Sequence, residues 1–479
     1  MSAGRQRGAA RETGGGRAAG RGAAGAGAAG RGAAGPSPAR VVAFAVLGRV
    51  FEEGAYADRA LLGEADRHGL SERDRALATR IAYGAIQRRA TLDHVVERLA
   101  KRKVRQLDPP VLAALRLGVQ QLLFMDRIPA HAAVDESVEL VKAHRPRGAG
   151  LVNAVLRRAV SEGRALVDAI DDSTPEGAAL RHSHPAWVAR TWWSQLGADH
   201  AKALMAADNE PAETALRANT LVTSRDALVD QLRGEGFDAR PADLPPDSVL
   251  VTGALDAHAH PLHERGAFMP QSRASAIVAR VLDPHPGDRV LDLCAAPGAK
   301  TTHLAALMRG EGEGEVVALE RHPGRARALE ATCRRMHVSN VRVRTADARE
   351  PAPGPLFDRV LVDPPCTGLG TLRSRPDLRW RVKPDDVSAL AATQAEILAA
   401  GAAATRPGGT LVYSTCTISA EENERRIDAF LRSHPAWKAD DLRSVVPVWH
   451  HPTVARHLQT LPHRDGTDGF FIARLRRTA

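Results

Sequence analysis

The sequence predicts a chain whose carboxyl-terminal part is an α/β domain on a doubly wound, Rossmann-like parallel sheet, preceded by an all-helical segment and a small α+β module. Three observations carry this reading. From residue 276 onward, short apolar runs alternate with helical stretches. Residues 39–168 place apolar side chains at three- and four-residue spacing with polar faces between. Residues 175–275 mix short strands with short helices. At 479 residues and 44% hydrophobic content, the chain can fill several cores.

Residues 1–38 are rich in Gly, Ala and Arg and hold almost nothing to bury, so disorder is expected there. Seven Arg and one acid, Glu12, fall in residues 1–40, accounting for six of the ten net positive charges. The body is therefore only mildly basic. The tail reads either as a solvated extension or as an arm whose spaced arginines neutralise phosphates without folding. No apolar run approaches the roughly 18 residues of a membrane span. The N-terminus lacks the apolar core of a signal peptide, so a cytoplasmic location is expected.

The helical segment, 39–168, is built from stretches at 39–53, 56–68, 72–86, 92–100, 109–125, 130–143 and 151–160. Ser71 precedes an acidic first turn, and Asp108 stands at an N-cap with Pro109 in the first helical position. Two basic clusters, Lys101-Arg102-Lys103 with Arg105 and Lys142 with Arg145 and Arg147, read as solvated charge or as phosphate contacts. In the module at 175–275, a helical stretch holds Trp187, Trp192 and Trp193. Aromatics spaced along an amphipathic helix are expected to be core rather than a base-stacking platform. A strand at 215–219, a helix at 225–233 and strand-like pieces near Phe237 and at 249–251 follow.

In the last part, apolar runs at 290–293, 316–319, 341–343, 360–362 and 410–413 suit buried parallel strands, with helices at 301–308, 324–337 and 387–404. The first strand runs into Cys294, Ala295, Ala296, Pro297, Gly298, Ala299 and Lys300 and then a helix. Small residues let a ligand approach the backbone, and the helix start offers free N–H groups. The loop is neither a phosphate-binding P-loop nor the Gly-x-Gly-x-x-Gly dinucleotide fingerprint. Glu320 ends the second strand, where a carboxylate can accept both ribose hydroxyls. Asp347, after the third, can accept from an adenine amino group. Together they fit an adenosine cofactor without pyrophosphate: S-adenosylmethionine.

Four cysteines occur, without Cys-x-x-Cys or zinc spacing, so neither a disulfide framework nor a metal site is expected. Cys294 and Cys333 read as small buried hydrophobes. Cys366, in Asp363-Pro364-Pro365-Cys366, and Cys416, in Ser414-Thr415-Cys416-Thr417, each follow an apolar strand run. A thiol past the carboxyl end of a buried strand sits in the crevice where open α/β sheets bind ligands. Two such thiols on one rim point to covalent chemistry.

Residues 291–302 (LDLCAAPGAKTT), 363–370 (DPPCTGLG), 373–380 (RSRPDLRW) and 408–417 (GGTLVYSTCT), with Glu421-Glu422-Asn423 and the ending Asp468-Gly469-Phe470-Phe471, make the chain similar to the RNA cytosine-carbon-5 methyltransferases of the Sun/RsmB family. The likeness spans residues 40–479. It implies a class I S-adenosylmethionine-dependent methyltransferase domain at 276–479, an RRM-like module at 175–275 and a NusB-like RNA-binding domain at 39–168, the mark of the branch acting on 16S rRNA. It also implies RNA as partner, no metal and a monomer. Cys416 is the implied nucleophile and Cys366 the implied aid to release. Sequence order alone leaves the two roles interchangeable. Asp363 is placed against the base's ring nitrogen 3 and amino edge and borders the cofactor. Lys300 lines the same pocket; burial lowers a lysine's pKa, but burial is not readable from sequence.

This chain departs from the family pattern at several places. Gly298-Ala299-Lys300 replaces Gly-Gly-Lys, Pro364 stands where Ala is usual, Glu320 replaces Asp and Gln271-Ser272 replaces Gln-Asp. Three other functions compete. One is the same chemistry on tRNA. A second is exocyclic-amine methylation, whose Asp-Pro-Pro-aromatic motif here has Cys366 in place of the ring. The third is a non-catalytic RNA-binding or assembly factor built on the NusB-like region.

The charge distribution yields a first prediction. Deleting residues 1–40 is expected to raise the KM for RNA and leave kcat nearly unchanged. The slope of log affinity against log salt should become shallower by about 0.7 for each single-strand phosphate that the tail no longer neutralises. Equal slopes for full-length and truncated protein on one 16S fragment would make the tail a solvated extension.

Overall fold

The three- and four-residue periodicity after residue 38 becomes seven helices, Pro38–Phe51, Ala57–Arg67, Glu72–Gln87, Arg89–Ala100, Pro109–Phe124, Ala130–His144 and Ala149–Asp168. The computed structural model describes residues 35–478 apart from Ala254, Glu311, Glu313 and Pro353. The expectation of disorder for the tail thus falls, for residues 1–34, outside the described residues. Pro38 already opens the first helix and Arg40 is buried in it, 2.9 Å from Glu136, so a tail deletion that spares the fold ends before Pro38. Leu47, Ile81, Ile86, Leu92 and Leu115 are buried in one core where the apolar stripes meet. Ser71 caps its helix, its hydroxyl accepting from Asp74 N at 3.2 Å. Asp108 does not use its side chain as a cap. It pairs instead with Arg145 Nε at 2.8 Å, which joins the loops carrying the two basic clusters.

The middle module contains strands β1 (Thr214–Ala218), β2 (Asp238–Pro241), β3 (Ser248–Thr252) and β4 (Phe268–Pro270), antiparallel in the order β2-β3-β1-β4. Helix Arg225–Gly234 supplies Leu228 and Leu232 to a core shared with Leu216, Val249 and Phe268. Trp192 is fully buried against Leu372, Ile418 and Leu461, and its indole N–H donates to the Ile418 carbonyl at 3.1 Å. That tryptophan is core, in line with the sequence reading.

The large sheet holds β5 (Arg289–Asp292), β6 (Glu315–Glu320), β7 (Val341–Thr345), β8 (Phe357–Val362), β9 (Thr405–Thr415), β10 (Trp437–Ala439), β11 (Leu458–Gln459) and β12 (Phe471–Arg477). Its order is β10-β12-β9-β8-β5-β6-β7, with β11 beside β12. The segment from β9 to β7 is parallel and matches the five apolar runs. Strands β10, β11 and β12 add an antiparallel edge that the sequence analysis does not anticipate. Side-chain alternation assigns the two faces. Val290, Val316, Leu361 and Val412 pack on Ile277, Val281, Leu304 and Met308. Leu291, Val317, Val360, Val362, Leu411 and Tyr413 meet Ile397, Leu398, Ile427 and Phe430.

Helix Pro384–Ala404 (21 residues) holds an 18-residue window with a mean hydropathy of 1.3, apolar enough by composition to cross a membrane, although Gln394 and Glu396 interrupt its apolar run. Its place explains that composition. Ile397, Leu398 and Ala402 cover the sheet, and fully buried Gln394 is hydrogen-bonded inside the domain.

Residues 373–380, read as a family signature, fasten the helical segment to the domain of the large sheet. Arg379 is fully buried and donates from Nη1 to the Gln87 carbonyl (2.8 Å), the Ser183 carbonyl (2.9 Å) and Asn209 Oδ1 (2.7 Å), and from Nη2 to the Asp208 carbonyl (2.9 Å). Trp380 donates its indole N–H to the Ile86 carbonyl at 2.6 Å, and Arg381 donates to the Gly54 carbonyl at 2.9 Å. Only a planar, multi-donor guanidinium can serve acceptors from three segments at once. Arg379→Met is therefore expected to destabilise the protein by about 3–5 kcal/mol, with Arg379→Lys recovering little. Chemical denaturation should show the loss, and limited proteolysis should cut first between the helical segment and the rest.

Candidate active site

The loop after β5 is shaped by one glycine. Gly298 has φ +106°, and a Cβ there would meet Leu329 Cδ1 at 2.7 Å, so both the turn and the packing exclude a side chain. Ala299 is already the first residue of helix Ala299–Leu307 and needs no left-handed backbone, so Ala in place of the usual second glycine costs the loop nothing. Thr301 Oγ1 donates to Asp292 Oδ2 at 2.8 Å and ties the helix start to the strand end.

Glu320 ends β6, 5% exposed, with Oε1 accepting from His322 N at 2.9 Å and Oε2 lying 3.4 Å from Arg325 Nη2. Arg325 also donates to the Ala296 carbonyl at 2.9 Å, so it spans from the loop to the Glu320 carboxylate. Asp347 is held by its neighbour: Arg349 donates to Oδ1 (Nε, 3.0 Å) and Oδ2 (Nη2, 2.7 Å), and these bonds keep the carboxyl well below its ordinary range. Residues Cys294–Lys300, Glu320 and Asp347, read from the sequence as cofactor-binding, thus stand at the carboxyl ends of β5, β6 and β7.

On the other side of that rim, Cys366 Sγ and Cys416 Sγ are 3.3 Å apart. Asp363 lies beneath them with both carboxylate oxygens engaged, Oδ2 by Lys300 Nζ at 2.8 Å and Oδ1 by Ser414 Oγ at 2.7 Å. Lys300 lies 5.2 Å from the centre of the Phe470 ring. Gly370 N donates to the Cys416 carbonyl at 3.0 Å and Gly469 N to the Gly370 carbonyl at 2.7 Å. The backbones cross so closely that a Cβ on Gly370 would sit 1.9 Å from the Gly469 oxygen.

The electrostatics separate the two sulfurs. The Cys366 S–H beside it holds the Cys416 thiol below its ordinary value, and the Arg375 and Lys300 cations pull the same way against burial and Asp363. Cys366 is pushed up by its contact with Cys416, by burial, and by the Glu422 and Asp363 carboxylates. Lys300 departs from the direction that burial sets. Burial alone lowers it, but the Asp363 ion pair outweighs burial and the ammonium is held above its ordinary value, so it stays charged. Burial lifts the Cys294 thiol well above its usual range and Cys333 to about 11, which leaves both protonated.

Sequence reasoning missed several participants. Asp292 is 1% exposed, and burial pushes its carboxyl up to about 6. An acid inside an otherwise apolar strand was the available signal. Ser414, named only as part of the Cys416 motif, holds Asp363 Oδ1. Arg217, on β1 of the middle module, is fully buried and reaches the cofactor loop: Nε donates to Gln271 Oε1 at 2.8 Å and Nη2 to Thr302 Oγ1 at 3.1 Å. Nothing local marks an arginine in another module as a neighbour of this loop.

Comparisons with known proteins match these parts one by one. Residues 279–476 match the model of the 16S rRNA methyltransferase RsmB/F family, residues 37–161 the NusB family and residues 184–258 the ferredoxin-like domain of RsmF/B-like methyltransferases. The probable ribosomal RNA small subunit methyltransferase B of Bacillus subtilis is 36% identical, covering 91% of this chain and 98% of that protein. Ribosomal RNA small subunit methyltransferase B of Thermus thermophilus is 37% identical, covering 91% and 97%. Among solved structures, PH0851 superposes with a TM-score of 0.77 at 27% identity over 92% of this chain and 98% of that one. NSun6 from Pyrococcus horikoshii with SFG gives 0.56 at 26% identity over 62% and 98%.

The position of Glu320 yields a prediction. Glu320→Ala is expected to weaken S-adenosylmethionine binding by about 1.5–3 kcal/mol, the range of a charge-assisted hydrogen bond. Unchanged affinity in titration calorimetry would move the ribose elsewhere.

Proposed function

The chain belongs to the RsmB/F family of 16S rRNA methyltransferases, and from that premise we propose that it methylates carbon 5 of a cytosine in 16S rRNA through a covalent bond to Cys416. The observation that carries the reading is the pair of sulfurs 3.3 Å apart at the ends of adjacent strands. Bound S-adenosylmethionine would supply an electrophilic methyl group at its sulfonium; the relative solved with SFG, an analogue of it, supports that choice of cofactor.

Carbon 5 of cytosine is a poor nucleophile until a thiolate adds to carbon 6 and turns the ring into an enamine. Cys416, favoured as thiolate by Lys300 and Arg375, makes that bond. Asp363, anchored by Lys300 and Ser414, is the group offered to the base's ring nitrogen 3 and amino edge. After methylation a water takes the proton on carbon 5, and the electron pair of that C–H bond restores the carbon 5–carbon 6 double bond and expels the Cys416 sulfur. Cys366, held protonated next to Cys416, assists that release by donating its S–H to the departing sulfur. The loop 294–300 with Glu320 and Asp347 would hold the cofactor. The middle and NusB-like regions would contact the rRNA, with the chain acting as a cytoplasmic monomer without metal.

The thiol variants test this reading. Cys416→Ala is expected to bind RNA and cofactor, transfer no methyl group and form no adduct. Cys366→Ala is expected to accumulate a protein–RNA complex that survives denaturing electrophoresis. The reverse pattern would exchange the roles. Methylation of tRNA, with 16S rRNA left unmodified, would overturn the substrate.

A further inference from the structure

Among the described residues, neither Glu422 nor Gln394 hydrogen-bonds a sulfur, yet with Asn423 they hold every residue flanking the two thiols. Glu422 Oε1 accepts from Thr367 N at 2.9 Å and from Gln394 Nε2 at 3.1 Å, and Oε2 accepts from Thr367 Oγ1 at 2.6 Å. Gln394 Nε2 also donates to the Pro365 carbonyl at 3.0 Å, so both neighbours of Cys366 are gripped. Thr417 donates its hydroxyl to Thr367 Oγ1 at 2.7 Å, which links the residue after one cysteine to the residue after the other. Asn423 Nδ2 donates to the Thr417 carbonyl at 3.0 Å and its Oδ1 accepts from Thr415 Oγ1 at 2.5 Å, so both neighbours of Cys416 are gripped as well. Tyr413 donates its hydroxyl to the Glu422 backbone carbonyl at 2.6 Å and ties the bracket to β9.

Glu422, Gln394 and Thr417 are fully buried, and Thr367 and Asn423 nearly so. A carboxylate at 0% exposure is costly unless its oxygens are satisfied, and even then apolar packing would serve stability as well. The charge therefore points to a role beyond holding the fold. We propose that Glu422 is a positioning residue for the reaction, clamping the two thiol loops with Gln394 and Asn423 so that Cys416, and not Cys366, is the sulfur presented for attack. The charged and titratable groups facing the pair are Lys300, Asp363, Arg375, Tyr413 and Glu422. Lys300 and Arg375 favour the thiolate at Cys416. Glu422, one residue beyond Cys366 through Thr367, disfavours it at Cys366. Geometry fixes the separation and charge assigns the proton.

This inference rests on the two-thiol reading of the reaction, but its test needs neither RNA nor methyl donor. The full chain is alkylated with iodoacetamide across the neutral to mildly alkaline range, and peptide mass spectrometry reads the label at each cysteine. The unsubstituted protein should label Cys416 in preference to Cys366. In Glu422→Gln that preference should fall by roughly tenfold, the effect of one pK unit of relative acidity, with the rate–pH curve of Cys366 moving to lower pH. In Gln394→Ala, which keeps the carboxylate but frees the Pro365 carbonyl, the preference should fall without that shift. Glu422→Asp, which keeps the charge, should restore much of the preference. A purely structural role would expose both sulfurs and raise both rates with their ratio and pH curves unchanged. That result, or an unchanged ratio in both Glu422→Gln and Gln394→Ala, overturns the proposal. Preferential labelling of Cys366 in the unsubstituted chain would instead overturn the assignment of thiol roles on which it rests.

Discussion

Parallel pairing of β8 with β9, Val362 opposite Tyr413, delivers Cys366 and Cys416 to the same rim from segments 50 residues apart. Neighbouring strands lie about 4.8 Å apart, so two short loops leaving them side by side can bring two sulfurs into contact without strain in either strand. A one-residue slip would turn every side chain of one strand to the opposite face, placing Tyr413 among the residues that now flank Val412. The different side-chain sets packed on the two covered faces of the sheet therefore protect the register, and the register protects the site.

Around that pair each charge serves more than one partner. Lys300 neutralises Asp363, and the resulting ion pair links the loop after β5 to the loop after β8. The same lysine reaches Cys416 electrostatically, so one cation neutralises the carboxylate and helps lower the thiol's pKa. Because the lysine stays charged, the pocket offers fixed cation–carboxylate polarity rather than a neutral amine base. Arrangements of this kind need little reorganisation when charge develops on a bound base.

The helical segment and middle module are fastened to this centre by buried arginines. Arg379 binds acceptors from the first helical segment and from the stretch before β1, while Arg217 crosses from β1 to Thr302 at the cofactor helix. Both join surfaces that would otherwise leave backbone carbonyls or hydroxyls unpaired in the interior. The regions proposed to contact RNA are thereby coupled rigidly to those proposed to hold the cofactor and to the thiols, which suits a reaction requiring the base and the methyl donor to meet at one carbon.

The sequence by itself determined the five parallel strands, the helical segment, the glycine turn after β5 and the two thiols past strand ends, because each of these is written in local pattern: short apolar runs, period-3.6 hydrophobicity, a glycine where the backbone must turn left-handed, a cysteine just past a strand. It could not determine that Gln394, on a helix with membrane-like composition, faces inward to hold Pro365, since the polarity of one residue is invisible in an apolar average. The antiparallel edge β10–β12 escaped it because those strands find their partners only by returning to β9. Which thiol is the more acidic is likewise set by the tertiary structure. Cys366 and Cys416 have similar local surroundings in the chain, and only folding places Lys300 and Arg375 beside one and the Glu422 carboxylate beside the other. Acidity is set by charges close in space, which local sequence does not list.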